Sequence, residues 1–179
     1  MKYIRHIVLA LILIGFSFEA SAGDLPEEYK ALGILIGDWT GSAKITMIRD
    51  DGHKVHTFDK TVVTRYDTKR KAIVMIETEL NPWTGKRTVI NSETRWDSHS
   101  KMFKSMVWSS DGEVRLFSIQ SKNGQLEYNQ IDAEVGAKFA CKVRLNDDGS
   151  LIEQGSKIFT KPQAITVKWS VDYKKKKSG

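Results

Sequence analysis

Two glutamates on one predicted strand are the first candidates for chemistry in this sequence. Glu77 and Glu79 are two residues apart, so on a β-strand their carboxylates share a face about 7 Å apart. Two carboxylates at this spacing suit acid–base catalysis or cation binding if they face inward. The alternating residues of the same segment are mostly apolar, and we therefore expect the glutamates to face solvent. If they face inward, the alternative is a hydrolase or isomerase that uses them with Arg87 or Arg95.

Aromatic side chains recur on most of the predicted strands and could line a small-molecule site. Aromatic and apolar lining with a few polar groups is the usual composition of such a site, although aromatic residues also fill cores and cover strands. Our candidate ligand-binding residues combine these rings with one guanidinium group: Trp39, Trp96, Trp108, Phe117, Tyr128 and Arg95.

The histidines and the single cysteine do not indicate a metal site. His53 and His56 are three residues apart, so a strand places them on opposite faces, and zinc needs more nitrogen or sulfur ligands than this stretch supplies. Cys141 cannot form an intramolecular disulfide, and its same-face neighbours Phe139 and Val143 indicate a buried core residue rather than a nucleophile. No nucleophile elbow or phosphate-binding glycine loop is present. We expect no catalytic residue, no metal and no cofactor.

The first 22 residues have the pattern of a cleaved signal peptide. Lys2 and Arg5 precede an apolar run of about 12 residues, shorter than the ~20 that span a bilayer. Ala20-Ser21-Ala22 is a small-residue cleavage site. We predict cleavage near Ala22 and a periplasmic or secreted mature protein.

Charge is concentrated at the C-terminal end of the sequence. The formal net charge is +6, and four of the positive charges belong to Lys174, Lys175, Lys176 and Lys177. Such a run is usually a solvated end, but it could make weak contact with an anionic membrane. Because an exported protein rarely meets nucleic acid, we expect no nucleic-acid partner, and we expect a monomer.

Short alternating segments separated by turns fill the sequence from Trp39 to Tyr173. A short helix is predicted before them. Pro26 and two acids suit its start, Gly33 suits its end, and Leu25, Tyr29 and Leu32 recur at helical spacing. The ten predicted strands cover residues 39–48, 55–66, 72–80, 87–96, 102–109, 114–120, 125–133, 137–145, 151–159 and 164–173.

The turns between the predicted strands are short, which indicates an antiparallel meander. Closing the meander into an up-and-down barrel removes its two exposed edges. A two-sheet sandwich is the alternative, but it usually needs long crossovers that this sequence lacks. We therefore predict an all-β protein: a signal peptide (1–22), a ten-stranded antiparallel barrel with a short N-terminal helix (23–173) and a basic tail (174–179). Mixed polar and apolar faces on the middle strands suit a partly polar cavity.

The motif Gly37-Asp38-Trp39 follows the predicted helix and opens the first strand. In this position it resembles the calycin group, which includes lipocalins, and in particular a lipocalin-like family of exported bacterial proteins of unknown function. The resemblance covers residues 29–173 in layout. It implies that Trp39 plugs the barrel base and that a basic residue of the last strand, Lys168 or Lys174, stacks on its ring.

Three functions remain open at this stage. We favour an exported lipocalin-like protein that holds a small apolar or amphipathic molecule in its barrel cavity. The alternatives are the carboxylate–arginine enzyme and a scaffold that docks on the cell envelope.

Overall fold

The computed structural model describes residues 24–80, 84–133, 137–160 and 164–176. The predicted signal peptide and Lys177 lie outside these ranges. Within them, no helix is both long enough and apolar enough to cross a membrane. A 3₁₀ helix, Glu27–Leu35, precedes the strands.

Strands make up most of the described chain, and their order follows the sequence. They are β1 (Gly37–Arg49), β2 (Gly52–Asp67), β3 (Ala72–Leu80), β4 (Arg87–Asp97), β5 (Met102–Ser109), β6 (Val114–Lys122), β7 (Gln125–Gln130), β8 (Ala137–Leu145), β9 (Leu151–Phe159) and β10 (Ile165–Lys175). The bounds of β3, β5, β8 and β9 are those that the alternation of residues predicts, and the other strands differ by a few residues at their ends.

The ten strands form a closed up-and-down barrel. Each strand pairs antiparallel with its neighbours in sequence, and β1 also pairs with β10 from Trp39 opposite Lys175 to Ile48 opposite Thr166. Closure gives every strand two partners, so no sheet edge is left to recruit another chain. The predicted all-β barrel is confirmed, and the sandwich alternative is wrong.

Local sequence sets at least one of the tight turns. Asn123 and Gly124 connect β6 to β7, and both have positive φ, at 52° and 72°. A two-residue hairpin of type I′ requires positive φ at both central positions, and Asn-Gly is the pair that adopts it most readily.

The 3₁₀ helix closes one end of the barrel. Its Leu32 is fully buried, and the ring of Tyr29 lies 5.1 Å from that of Tyr66. The Tyr29 hydroxyl donates a hydrogen bond to the carbonyl of Lys71 (2.6 Å) and accepts one from the backbone N–H of Trp96 (3.0 Å). These bonds join the helix to the β2–β3 turn and to β4, which fixes the plug in position.

Trp39 lies beneath the helix at this closed end. Its side chain is buried, and its indole N–H donates to the carbonyl of Leu35 at 3.0 Å. The cation over its ring is Lys175, with Nζ 5.6 Å from the ring centroid, so the expectation of Lys168 or Lys174 is wrong. The reason is register, because directly opposed residues of paired strands share a face and Lys175 is opposite Trp39.

Strand β10 continues two residues beyond the predicted end of the barrel at Tyr173. Lys174 and Lys175 therefore belong to the barrel wall, and the N–H of Lys176 donates to the carbonyl of Asp38 at 2.8 Å. Contact of these lysines with a membrane stays a prediction.

Candidate ligand-binding site

The interior of the barrel is a cavity of about 600 Å³. It extends from Trp39 at the closed end to the β5–β6 turn at the other end. Alternate residues of each strand point inward and line it. Small-molecule sites usually have volumes of roughly 300–1,000 Å³. Aromatic side chains contribute much of the lining: Trp39, Phe58, Phe117, Tyr128, Phe139, Phe159, Trp169 and Tyr173.

Two of these rings lie against glycines of neighbouring strands. Tyr173 is directly opposite Gly41 of β1, and Trp169 is directly opposite Gly155 of β9. A Cβ at Gly41 would be 2.7 Å from a ring atom of Tyr173, and a Cβ at Gly155 would overlap the Trp169 indole. The missing side chains thus allow both rings of β10 to lie close to the wall.

Glu153 accepts hydrogen bonds from both of these rings. It pairs with Val171, so Trp169 and Tyr173 are its two diagonal neighbours on β10. The Trp169 indole N–H donates to Oε1 at 2.7 Å, and the Tyr173 hydroxyl donates to Oε2 at 3.0 Å. The register of two strands therefore builds a carboxylate with a neutral donor on each oxygen.

A second polar group in the cavity is an ion-paired triad from β2 and β3. The Lys60 Nζ lies 2.7 Å from Glu77 and 3.2 Å from Glu79, and these side chains are only 8%, 10% and 19% exposed. A charged amine this deeply buried is tolerated because two carboxylates compensate it. The triad and Glu153 interact, since the charge of Glu153 affects the pKa of both Lys60 and Glu77.

Burial and charge shift several pKa values in this group. Burial raises the pKa of Glu77 to about 7, although Lys60 opposes the shift. Burial alone would lower the pKa of Lys60, but the surrounding carboxylates outweigh it and raise that pKa well above its usual value. Burial, and then the charge of Glu153, raise the pKa of the Cys141 thiol. Cys141 is buried as predicted, and at neutral pH it stays a thiol with little nucleophilicity.

The predicted orientation of Glu77 and Glu79 is wrong. Both line the cavity, while Val74 and Ile76 take the outer face of β3. The apolar residues that alternate with them on β3 gave the wrong prediction, because a carboxylate can be buried when an amine is buried beside it. That amine, Lys60, comes from β2, and strand register brings it to Glu79.

The candidate ligand-binding residues divide into three groups. Trp39, Phe117 and Tyr128 line the cavity. Trp96 packs edge-on against Phe103 at the closed end, with ring centroids 5.0 Å apart, and does not border the cavity.

Trp108 and Arg95 need correction as candidate ligand-binding residues. Val107 faces the cavity, so the next residue, Trp108, points to the outer wall. Arg95 is exposed and donates to Glu93 at 2.7 Å. Arg87 is exposed as well, so neither arginine joins Glu77 and Glu79.

Lys60 and Glu153 are cavity residues that the sequence analysis missed. Lys60 had a usable signal, because it interrupts the alternating face of β2 that contains Phe58, Val62 and Tyr66. A lone lysine on such a face indicates a buried partner. Glu153 had little signal, since its strand has no clean apolar face. In the described ranges, no group of three or more His, Cys, Asp or Glu side chains is arranged to hold a metal ion.

Replacing Gly155 with alanine should disturb the Glu153 group. The added methyl group would force the Trp169 indole from its position, so we expect a loss of about 1–3 kcal/mol in unfolding free energy. Urea denaturation measures the loss, and the indole N–H resonance of Trp169 reports the broken hydrogen bond. Gln154→Ala on the outer face is the control. Equal effects of the two substitutions, with an unmoved indole resonance, would contradict this packing.

Comparison with known proteins identifies the fold. No protein-family model matches the chain, and no curated protein matches its sequence. Among solved structures, the S-type phycobiliprotein lyase CPES from Guillardia theta is similar, with a TM-score of 0.54 at 11% identity over 90% of this chain and 99% of that chain.

A protein of unknown function from the DUF3598 family of Nostoc punctiforme PCC 73102 is also similar. Its TM-score is 0.52 at 12% identity, and the match covers 80% of this chain and 48% of that chain. The chain thus spans about half of the Nostoc protein. At these identities the comparisons show fold alone, and the fold is a closed, lipocalin-like antiparallel β-barrel that in this chain encloses a ligand-sized cavity.

Proposed function

We propose that this protein is an exported binding protein that holds one small apolar or amphipathic molecule inside its barrel. The observation that carries the proposal is the cavity of about 600 Å³, plugged at one end and lined mainly by apolar and aromatic side chains. A filled barrel core would leave no such space. Burying apolar ligand surface there would contribute about 25 cal/mol per Å².

The polar groups in the cavity give the proposed ligand its amphipathic character. Glu153 and the Lys60 triad lie among apolar residues such as Phe58, Val62 and Val171. A few polar groups in an apolar pocket orient a ligand and select its chemistry. Export rests on the signal-peptide pattern of residues 1–22.

Two substitutions on adjacent positions of β5 test the proposal. Val107 lines the cavity, whereas Met106 points outward and is 46% exposed. We expect the wild-type protein and Met106→Trp to bind Nile red, a neutral apolar dye, at one site. Val107→Trp should weaken binding by roughly tenfold or more, because the added ring occupies cavity volume. Fluorescence titration measures the affinities.

Circular dichroism and urea denaturation check that both variants fold. Absence of Nile red binding to the wild-type protein would overturn the proposal. Equal weakening by Val107→Trp and Met106→Trp would also overturn it, because the dye would then bind elsewhere.

A second candidate function is acid–base catalysis on a bound molecule. The observation in its favour is Glu77, a buried carboxyl with a pKa of about 7, since such a group can exchange protons near neutral pH. The arginines of the original hypothesis lie outside the cavity. Binding therefore takes first place, and catalysis would be recognised by chemical change in the bound molecule.

A further inference from the structure

We infer that the ligand carries a cationic group, an ammonium or a guanidinium, which is held by Glu153 against an aromatic wall. This inference rests on the proposed function and adds the chemical class of the ligand. It follows from the balance of charge in the cavity, from the partners of Glu153 and from the rings beside it.

Carboxylates outnumber basic groups along the cavity. At the mouth, two carboxylates, Asp111 and Glu113, line the cavity with two basic groups, Arg115 and Lys157. Arg115 pairs with Glu113 through its Nε at 2.6 Å, so positive and negative charges balance there. Deeper in the barrel, one ammonium group faces three carboxylates: Lys60 against Glu77, Glu79 and Glu153. A buried charge without a counter-charge is costly. A cationic group of the ligand would supply the positive charge that these carboxylates lack.

Glu153 is the carboxylate of this group that forms no direct ion pair with Lys60, although the two charges interact across the cavity. Lys60 lies within 3.2 Å of both Glu77 and Glu79. In contrast, the donors to Glu153 are neutral: the Trp169 indole, the Tyr173 hydroxyl and, at 3.9 Å, the Cys141 thiol. Among described residues no basic group is within 4.0 Å of it. Burial first, and then the negative charge of Glu153, raise the pKa of Glu77, Cys141 and Tyr173. The same negative charge would repel an anionic group of a ligand placed nearby.

Trp169, which donates to Glu153, belongs to a cluster of aromatic rings. The centroid of Phe139 is 5.4 Å from that of Trp169 and 5.0 Å from that of Phe117, and all three rings line the cavity. Rings attract cations through their negative faces, while a carboxylate accepts hydrogen bonds from an ammonium or guanidinium. An anionic head group would gain neither interaction and would be repelled by Glu153.

Three probes with one apolar body test the charge preference. They are 2-(1-naphthyl)ethylammonium, 2-(1-naphthyl)ethanol and 1-naphthylacetate, titrated by calorimetry at pH 8, where Glu77 is mostly ionised. We expect the ammonium to bind about tenfold more tightly than the alcohol, which corresponds to ~1.4 kcal/mol. The acetate should bind more weakly than the alcohol.

Glu153→Gln assigns the preference to one residue. The amide keeps a hydrogen-bond acceptor for Trp169 or Tyr173 but removes the charge. In this variant the ammonium should lose its advantage over the alcohol. Glu127→Gln is the matched control, because Glu127 is on the outer face and pairs with Lys142 at 3.1 Å. It should retain the preference for the ammonium.

The outcomes separate the two proposals. Equal binding of ammonium and alcohol, or a preference that survives Glu153→Gln, would overturn the cationic ligand and leave the binding function intact. If no naphthyl probe binds, the cationic ligand is overturned as well, and the Nile red titration decides the proposed function independently.

Discussion

Replacing Lys60 with methionine is expected to cost about 3–5 kcal/mol of unfolding free energy at pH 8.5, the usual effect of removing one partner from a buried ion pair. Lys60 neutralises Glu77 at 2.7 Å and Glu79 at 3.2 Å inside the barrel. Methionine keeps the length of the side chain, so the loss comes from the two carboxylates that remain buried without a counter-charge.

The cost of Lys60→Met should fall as pH is lowered from 8.5 to 5. The pKa of Glu77 is raised from 4.5 to about 7 in the folded protein. A raised carboxyl pKa stabilises the fold while the group is protonated, so this contribution is complete below about 4.5 and is lost as pH rises through about 7. Without Lys60 the pKa of Glu77 should rise further, and protonation at pH 5 relieves the unpaired charge.

Urea denaturation of the wild-type protein and the variant at both pH values measures this dependence. Lys44→Met is the control, because Lys44 is exposed on the outer face of β1 and its replacement should change stability by no more than about 0.5 kcal/mol. If Lys60→Met were as mild as Lys44→Met, or equally costly at pH 5 and pH 8.5, the buried triad would be wrong.

Trp39→Ala is expected to cost about 3–5 kcal/mol, as large-to-small substitutions of buried aromatic residues do. Trp39 is 3% exposed and packs in the core with Leu32 and Tyr173. Alanine would leave a void under the helix and would remove the hydrogen bond to Leu35. The closed end of the barrel should then loosen.

Trp108→Ala provides the comparison for this substitution. Trp108 is on the outer wall and only half-buried, so its removal should cost clearly less than that of Trp39. Lys175→Met should cost about 1 kcal/mol or less, because it removes a single cation–π contact. Chemical denaturation measures all three variants. A cost for Trp39→Ala no greater than that for Trp108→Ala would contradict its role as the plug.

The fold was predictable from sequence because local signals agree throughout the chain. Turn sequences separated the strand-like segments even where their faces were mixed, and Asn123-Gly124 is the residue pair that favours a two-residue hairpin. The shortness of the turns favoured an up-and-down order, and closure followed from the need to remove edges. The role of Trp39 as the plug was implied by the resemblance of the Gly37-Asp38-Trp39 motif to that of known barrels.

The site was less predictable because it depends on register across strands. Lys60 and Glu77 are on different strands, and Glu153 meets Trp169 and Tyr173 only through the β9–β10 pairing. A sequence does not state which residues are opposite each other until the turns fix the register. For the same reason Lys175, rather than Lys168 or Lys174, lies over Trp39.

Arg95 and Trp108 illustrate a related difficulty. Their strands have mixed faces, so residue type alone does not show which side points inward. In the closed barrel the adjacent residues Thr94 and Val107 face inward, so Arg95 and Trp108 face outward. An aromatic or charged residue is therefore a weak guide to a cavity until its strand has been oriented.

Native mass spectrometry tests the central claim, that the barrel interior holds a small molecule, most directly. The protein, Met106→Trp and Val107→Trp would each be purified under native conditions from the source organism. The account predicts a mass increment from one bound small molecule in the first two and its loss from Val107→Trp. Detection of unliganded protein alone in all three, or an equal increment in Val107→Trp, would contradict it.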